Sequence, residues 1–290
     1  MSEKIVLKNY EELEFRDDFM FGKVMEDSQL CREVLECLLQ RPVGELQEPV
    51  LQKEFQYTSD GKPIRLDIYN RDNDSNIYDA EMENLNNHSV EWHALPKRSR
   101  FYQSSIDIDF LSKGGYFKDL PESNVMFICT FDPFGLGLSQ YTFRERCDEK
   151  ADLLLGDGTE KHFYNCCYEG DELTDDLKAF FEYVRTGKAK SNLTKKIDKA
   201  VGECRKNEVW RTQYMKERIV IMDAIRDSEE RAKKANEEKE KAVAETEKAI
   251  AETEKATAEK EKATAEKEKA LQEIEVLKKE IERLRALVNA

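Results

Sequence analysis

The sequence predicts an α/β protein carrying a long C-terminal helix, and three observations point there. Residues 64–70 and 76–83 (IRLDIYN and NIYDAEME) are short β-forming runs separated by a polar turn. Residues 125–131 (VMFICTF) form a nearly continuous apolar run closed by Asp132-Pro133, the pattern of a strand buried on both faces. From about residue 229 the composition shifts to Ala, Glu, Lys and Thr with a period of seven: KAVAETE, KAIAETE, KATAEKE, KATAEKE, KALQEIE from Lys241.

In chain order, residues 17–40 show helical spacing, with Phe19, Phe21, Val24, Met25, then Leu30, Val34, Leu35 and Leu38 recurring at three and four. One broken helix or two successive ones are expected. The two strands follow, then a helix over roughly 91–112 in which Trp92, Leu95, Tyr102, Ile106 and Phe110 form one stripe and Gly114-Gly115 end it. Beyond the buried run, strands are expected at 140–146 and 161–168, and helices at 174–186 and from about 193 onward. Helix, strands, helix and buried strand in that order make an α/β sandwich.

In the heptad tail, Ala and i,i+4 Glu/Lys pairs favour a solvated helix. Placing Ile274, Ile281 and Val288 at position a puts Leu277 and Leu284 at d, a combination that favours parallel dimers. Upstream the same register sets Lys260 and Lys267 at a and a row of alanines at d, a poor seam. A solitary charged helix is the alternative, because two good heptads are short for a coiled coil.

The chain has 290 residues and a formal charge of −14, from 47 basic and 61 acidic side chains. Removing the 15 basic and 17 acidic residues of 229–290 leaves 32 against 44 in residues 1–228. No global attraction to nucleic acid or anionic membrane is expected, so any such contact needs a local basic patch. No run reaches the length of a membrane span and the N-terminus has no apolar signal core, so a cytoplasmic protein is expected. Seven cysteines lack CxxC spacing and read as reduced, structural thiols. Cys166 and Cys167 near His162 make a poor zinc half-site, because strand alternation sends neighbours to opposite faces.

The chemistry concentrates in the two strands. Asp67 interrupts a strand-forming run, and Glu81 and Glu83, two apart, share a face. Clustered carboxylates are costly without a cation, and Mg²⁺ prefers oxygen ligands; an ordinary exposed hairpin face is the other reading. Lys97, Arg98 and Arg100 bring positive charge on the following helix, with Tyr102 one turn after Arg98 and Gln103 beside it. Arg98 and Tyr102 either contact a phosphate or brace the carboxylates, or else the basic residues form a solvated face while Tyr102 packs in the core. Lys53 and Arg65 are less specific candidates for backbone contact. His88 and His93, five apart, miss the spacing of a helical metal pair, and DPFG at 132–135 is a turn.

The segments FRDDFMFGKVMED, RLDIY, YDAEMEN, LPKRSRFYQSSIDIDFLSKGG and NVMFICTFDPFG, in this order over about residues 12–150, resemble the PD-(D/E)xK nuclease family transposases, also called recombination-promoting nucleases. The resemblance implies a restriction-endonuclease-like core, a mixed sheet flanked by helices with its metal site at a hairpin. It matches Asp67 to the motif aspartate, Glu81 to the (D/E) position and Glu83 to the last position, which is usually Lys and in relatives commonly Gln. Glu83 then either binds a second metal or accepts a proton from water, or marks a weakened site. An early acid often completes such sites; Glu26 is the candidate ligand, with Asp17 and Asp18 as competitors.

On this reading residues 1–150 are the nuclease-like core, 151–228 an α/β extension leading into helix, and 229–290 the heptad helix with its zipper. The function implied is Mg²⁺- or Mn²⁺-dependent hydrolysis of double-stranded DNA, linked to mobile elements or recombination. A homodimer through Ile274, Leu277, Ile281, Leu284 and Val288 is expected. The alternative is a catalytically degenerate nuclease fold that works as a coiled-coil interaction module.

Overall fold

The computed structural model describes residues 8–47, 50–55, 64–84, 92–112 and 114–288, with backbone alone at 50–55, 64, 65, 92, 282 and 285–288. Two compact units divide at 217/218. The first is built on one six-stranded mixed sheet, in the order β1-β2-β3-β4-β6-β5.

Helices α1 (Asp18–Val24) and α2 (Ser28–Leu39) open it. They are two helices because Asp27 caps the second, its carboxylate accepting from the Gln29 and Leu30 N–H groups at 3.0 Å each. Strands β1 (Val50–Phe55), β2 (Ile64–Arg71) and β3 (Ile77–Glu83) then form an antiparallel meander. The β2–β3 turn is organised by Asp72, whose carboxylate accepts from the Asp74 and Asn76 N–H groups and from the Tyr78 hydroxyl at 3.0 Å.

Helix α3 (Leu95–Ser112) crosses over to β4 (Ser123–Cys129), which lies parallel to β3, with Glu83 beside Cys129. A parallel neighbour requires such a crossover. Strands β5 (Gln140–Phe143) and β6 (Thr159–Asn165) complete the sheet, β6 parallel to β4. Helices α4 (Asp175–Thr186) and α5 (Asn192–Cys204) and the first turns of α6 (Glu208–Val288) follow. Residues 151–217 thus belong to the same unit as the sheet they complete.

Alternation sorts the core into two layers. On β3 and β4, Tyr78, Ala80, Met82, Met126 and Ile128 pack against α1, α2, α4 and α5. Their neighbours Ile77, Val125, Phe127 and Cys129 pack against Leu95, Tyr102 and Ile106 of α3. Helices α1 to α4 and strands β2, β3 and β4 stand close to where the sequence puts them. Strand β1 was not expected, and the helical run from 193 is broken at 205–207 into α5 and α6.

The second unit, residues 218–290, is described as helix up to Val288. Its surface carries i,i+4 pairs such as Glu230–Lys234 at 3.0 Å. Ile274, Leu277, Ile281 and Leu284 are large apolar residues left open, Leu277 at 62% exposure; the side chain of Val288 lies outside the described residues. Among the described residues no helix is long and apolar enough to cross a membrane.

Candidate active site

The α3-facing side of β3 should be apolar, since helix and strand bury it, yet its odd positions after Ile77 are Asp79, Glu81 and Glu83. All three are buried, Asp79 completely. An exposed polar hairpin face is therefore not what the strand forms. Asp79 is the residue that the sequence reading passed over; the same two-residue step that joins Glu81 to Glu83 would have found it.

Asp67 meets this row from β2. The paired register ends at Ile68↔Ala80, and the next connection between the strands is made by side chains. The Asp67 N–H donates to Glu81 Oε1 at 2.8 Å, and the Met82 N–H donates to Asp67 Oδ2 at 3.3 Å. Strand alternation also breaks here, for Leu66 and Ile68, two apart, belong to opposite core layers. The hairpin opens by one rung, and two carboxylates take the place of main-chain carbonyls.

Arg98, on the first turns of α3, is a cation that meets the cluster. Its Nη1 lies 2.6 Å from Glu83 Oε1 and its Nη2 3.6 Å from Glu81 Oε2. Nη2 also donates to the Tyr102 hydroxyl at 3.0 Å, and the guanidinium sits 5.4 Å from the Tyr102 ring centroid and 5.5 Å from that of Phe127. The i,i+4 spacing of Arg98 and Tyr102 makes this possible. Arg98 thus meets the carboxylates, while Tyr102 packs in the core with its ring stacked on Phe127.

Among the described residues, the electrostatics follow from Asp67, Asp79, Glu81, Glu83 and the Arg98 guanidinium. Burial, and then the Asp67 charge, push the Asp79 carboxyl well above the ordinary carboxylate range. Burial does the same to Glu81, with Asp67 and Asp79 adding to it, while the Asp67 N–H and Arg98 offset part. Burial opposes the charge of Arg98, but Glu83, Tyr102 and Glu81 more than reverse this, so it stays firmly cationic. Neither oxygen of Asp79 has a hydrogen-bond donor, apart from a proton that it can share with the Glu81 carboxyl.

This donor set fits a hard divalent cation: oxygen ligands only, excess negative charge, and a buried carboxylate without a donor. It is not a closed cage, since among the described residues no three His, Cys, Asp or Glu groups already converge as metal ligands.

Other expected site residues fall elsewhere. Gln103 is buried but donates to Asp107 at 3.0 Å and accepts from the Ser123 hydroxyl at 2.9 Å, fastening α3 to β4. Glu26 pairs with Lys23 at 2.8 Å in the turn after α1, and α1 packs on the opposite face of the sheet, so it does not join the carboxylates. Its competitor Asp17 is engaged by Lys8 at 2.8 Å. Arg65 is a β2 residue next to Leu66; its side chain, like that of Lys53, lies outside the described residues, as does His88. Lys97 and Arg100 are exposed. Cys166 is buried and Cys167 exposed, and His162 contacts Glu160, Asn124 and Thr142 rather than either thiol. No protein-family model, curated protein or solved structure matches the chain.

Proposed function

We propose that the chain is a metal-dependent DNA endonuclease of the PD-(D/E)xK type, hydrolysing phosphodiester bonds of double-stranded DNA. The observation that carries the reading is the opened rung of the hairpin, where Asp67 and Glu81 face each other in a buried row of acids with a fixed arginine beside them. The mixed sheet with helices on both faces supports a restriction-endonuclease-like core, and the resemblance of residues 12–150 to the nuclease family transposases supports a link with mobile elements or recombination.

Asp67 and Glu81 would hold Mg²⁺ or Mn²⁺, with Asp79 in reserve behind them. When bound, such an ion polarises the phosphate and lowers the pKa of a coordinated water, together worth several kcal/mol. The protein's own residues prepare the place: main-chain N–H groups fix the two carboxylates, burial strengthens every charge there, and the aromatic shelf of Tyr102 and Phe127 orients Arg98. A homodimer through Ile274, Leu277, Ile281, Leu284 and Val288 would present two sites to the two strands of a duplex. The seven free cysteines suit a reducing compartment such as the cytoplasm.

A second reading is a degenerate nuclease fold that serves as an interaction module. The close Arg98–Glu83 contact favours it, because the charge of a would-be ligand is already neutralised from within.

Nicking of supercoiled plasmid separates the two. The proposed enzyme nicks with Mg²⁺ or Mn²⁺ and not with chelator, and Asp67→Asn, which keeps the acceptor for Met82, reduces the rate at least 100-fold. Absence of nicking by wild-type protein under every metal condition rejects the endonuclease in favour of the interaction module.

A further inference from the structure

We propose that Arg98 is the charge-bearing group that a strand lysine supplies in other sites of this type, and that Glu83 is its anchor rather than a ligand or a base. The inference rests on the endonuclease reading. A lysine at 83 would place its ammonium on the α3-facing side of β3, next to Glu81. This chain has a carboxylate at that position, yet a cation still stands beside Glu81: the guanidinium reaches it from α3, bridging Glu83 at 2.6 Å and Glu81 at 3.6 Å. The charge has moved from strand to helix, and Glu83 is what holds it there.

Three features make Arg98 suited to the task. It is pinned on two aromatic rings and the Tyr102 hydroxyl, so little side-chain freedom remains to be lost when substrate arrives. Its side chain keeps 28% exposure, against 3% for Glu81 and 7% for Glu83, so it is more open than either acid that it meets. A guanidinium cannot lose its proton at any working pH and presents a planar fork of donors that matches a phosphate. Glu83 touches neither phosphate nor metal in this assignment and is a positioning residue.

The test is a set of variants of the full chain: Arg98→Gln, Arg98→Lys, Glu83→Gln and Glu83→Lys combined with Arg98→Gln, each checked for the wild-type melting profile. Nicking is measured beside Mn²⁺ affinity by calorimetry. Arg98→Gln should slow nicking on the order of 100-fold, the usual effect of deleting one charge-stabilising donor. Glu83→Gln, which loosens Arg98, should cost about 10-fold, and Arg98→Lys should stay well above Arg98→Gln. Adding Glu83→Lys to Arg98→Gln should return the rate to within about 10-fold of wild type, because it restores the cation from the strand.

Arg98→Gln should also bind Mn²⁺ several-fold more tightly, since a competing positive charge is gone. A purely structural role would weaken cutting and binding together. Wild-type nicking by Arg98→Gln, or weaker Mn²⁺ binding by that variant, overturns the assignment, while loss of nicking in Asp67→Asn leaves the endonuclease standing. If the double variant does not fold, Arg98→Lys no better than Arg98→Gln overturns it as well. A wild-type chain that never nicks removes the endonuclease reading and this inference with it.

Discussion

Asp79 shows what a single buried acid does to this protein. Burial and the neighbouring Asp67 raise its carboxyl above the ordinary carboxylate range, so the folded state favours the protonated form. Such a group adds stability below its unfolded pKa of about 4 and gives it up as pH climbs through the raised folded value. The metal-free chain should therefore lose stability from mildly acidic pH toward neutrality, in step with Asp79 and Glu81. Asp79→Asn, neutral at every pH, should flatten that decline. Thermal melts in chelator should put the variant a few degrees above wild type at pH 7, with the gap closing toward pH 4. Equal slopes for the two proteins would show that Asp79 ionises without penalty.

At the scale of elements, the 3.6-residue period placed α1, α2 and α3, β-forming runs set off by polar turns placed β2 and β3, and the continuous apolar run at 125–131 placed β4. They could not place what depends on neighbours. The row Asp79, Glu81, Glu83 reads as a solvent face until β4 and α3 are known to enclose it. Glu26 is an acid near the right helix, but the side of the sheet on which α1 packs is a tertiary fact. Strand β1, VLQKEF, has too mixed a pattern to announce itself, and it is held by pairing with β2.

Helix ends are similarly local only in part. Helix α2 closes on Gln40 in the left-handed region, φ 52° and ψ 33°, a conformation that suits glycine better than any residue with a Cβ. Gln40→Gly should raise the free energy of unfolding by about 0.5–1 kcal/mol, measured as a later urea midpoint at unchanged slope. An earlier midpoint would mean that the contact from the Gln40 side chain to the Cys37 carbonyl outweighs the backbone strain.

Across the whole molecule, the buried acids Asp79, Glu81 and Glu83 and the open apolar residues fall in different units: the acids lie in residues 1–217 and Ile274, Leu277, Ile281 and Leu284 in 218–290. Deleting 271–290 should halve the mass in solution measured by light scattering and leave the melting of the first unit unchanged, because the described residues of its core clusters include none from 271–290. A mass equal to one chain both before and after would make the tail a solitary helix.

The opened rung between β2 and β3 has a consequence for the backbone itself. Two amide protons that would ordinarily rest on neutral carbonyls rest instead on groups whose charge is chemically adjustable. Whatever protonates Asp67 or Glu81, or draws their electron density toward an ion, weakens the fastening of the hairpin at that rung. In the proposed enzyme, occupancy of the site would therefore be felt by the main chain of β2 and β3 at that rung.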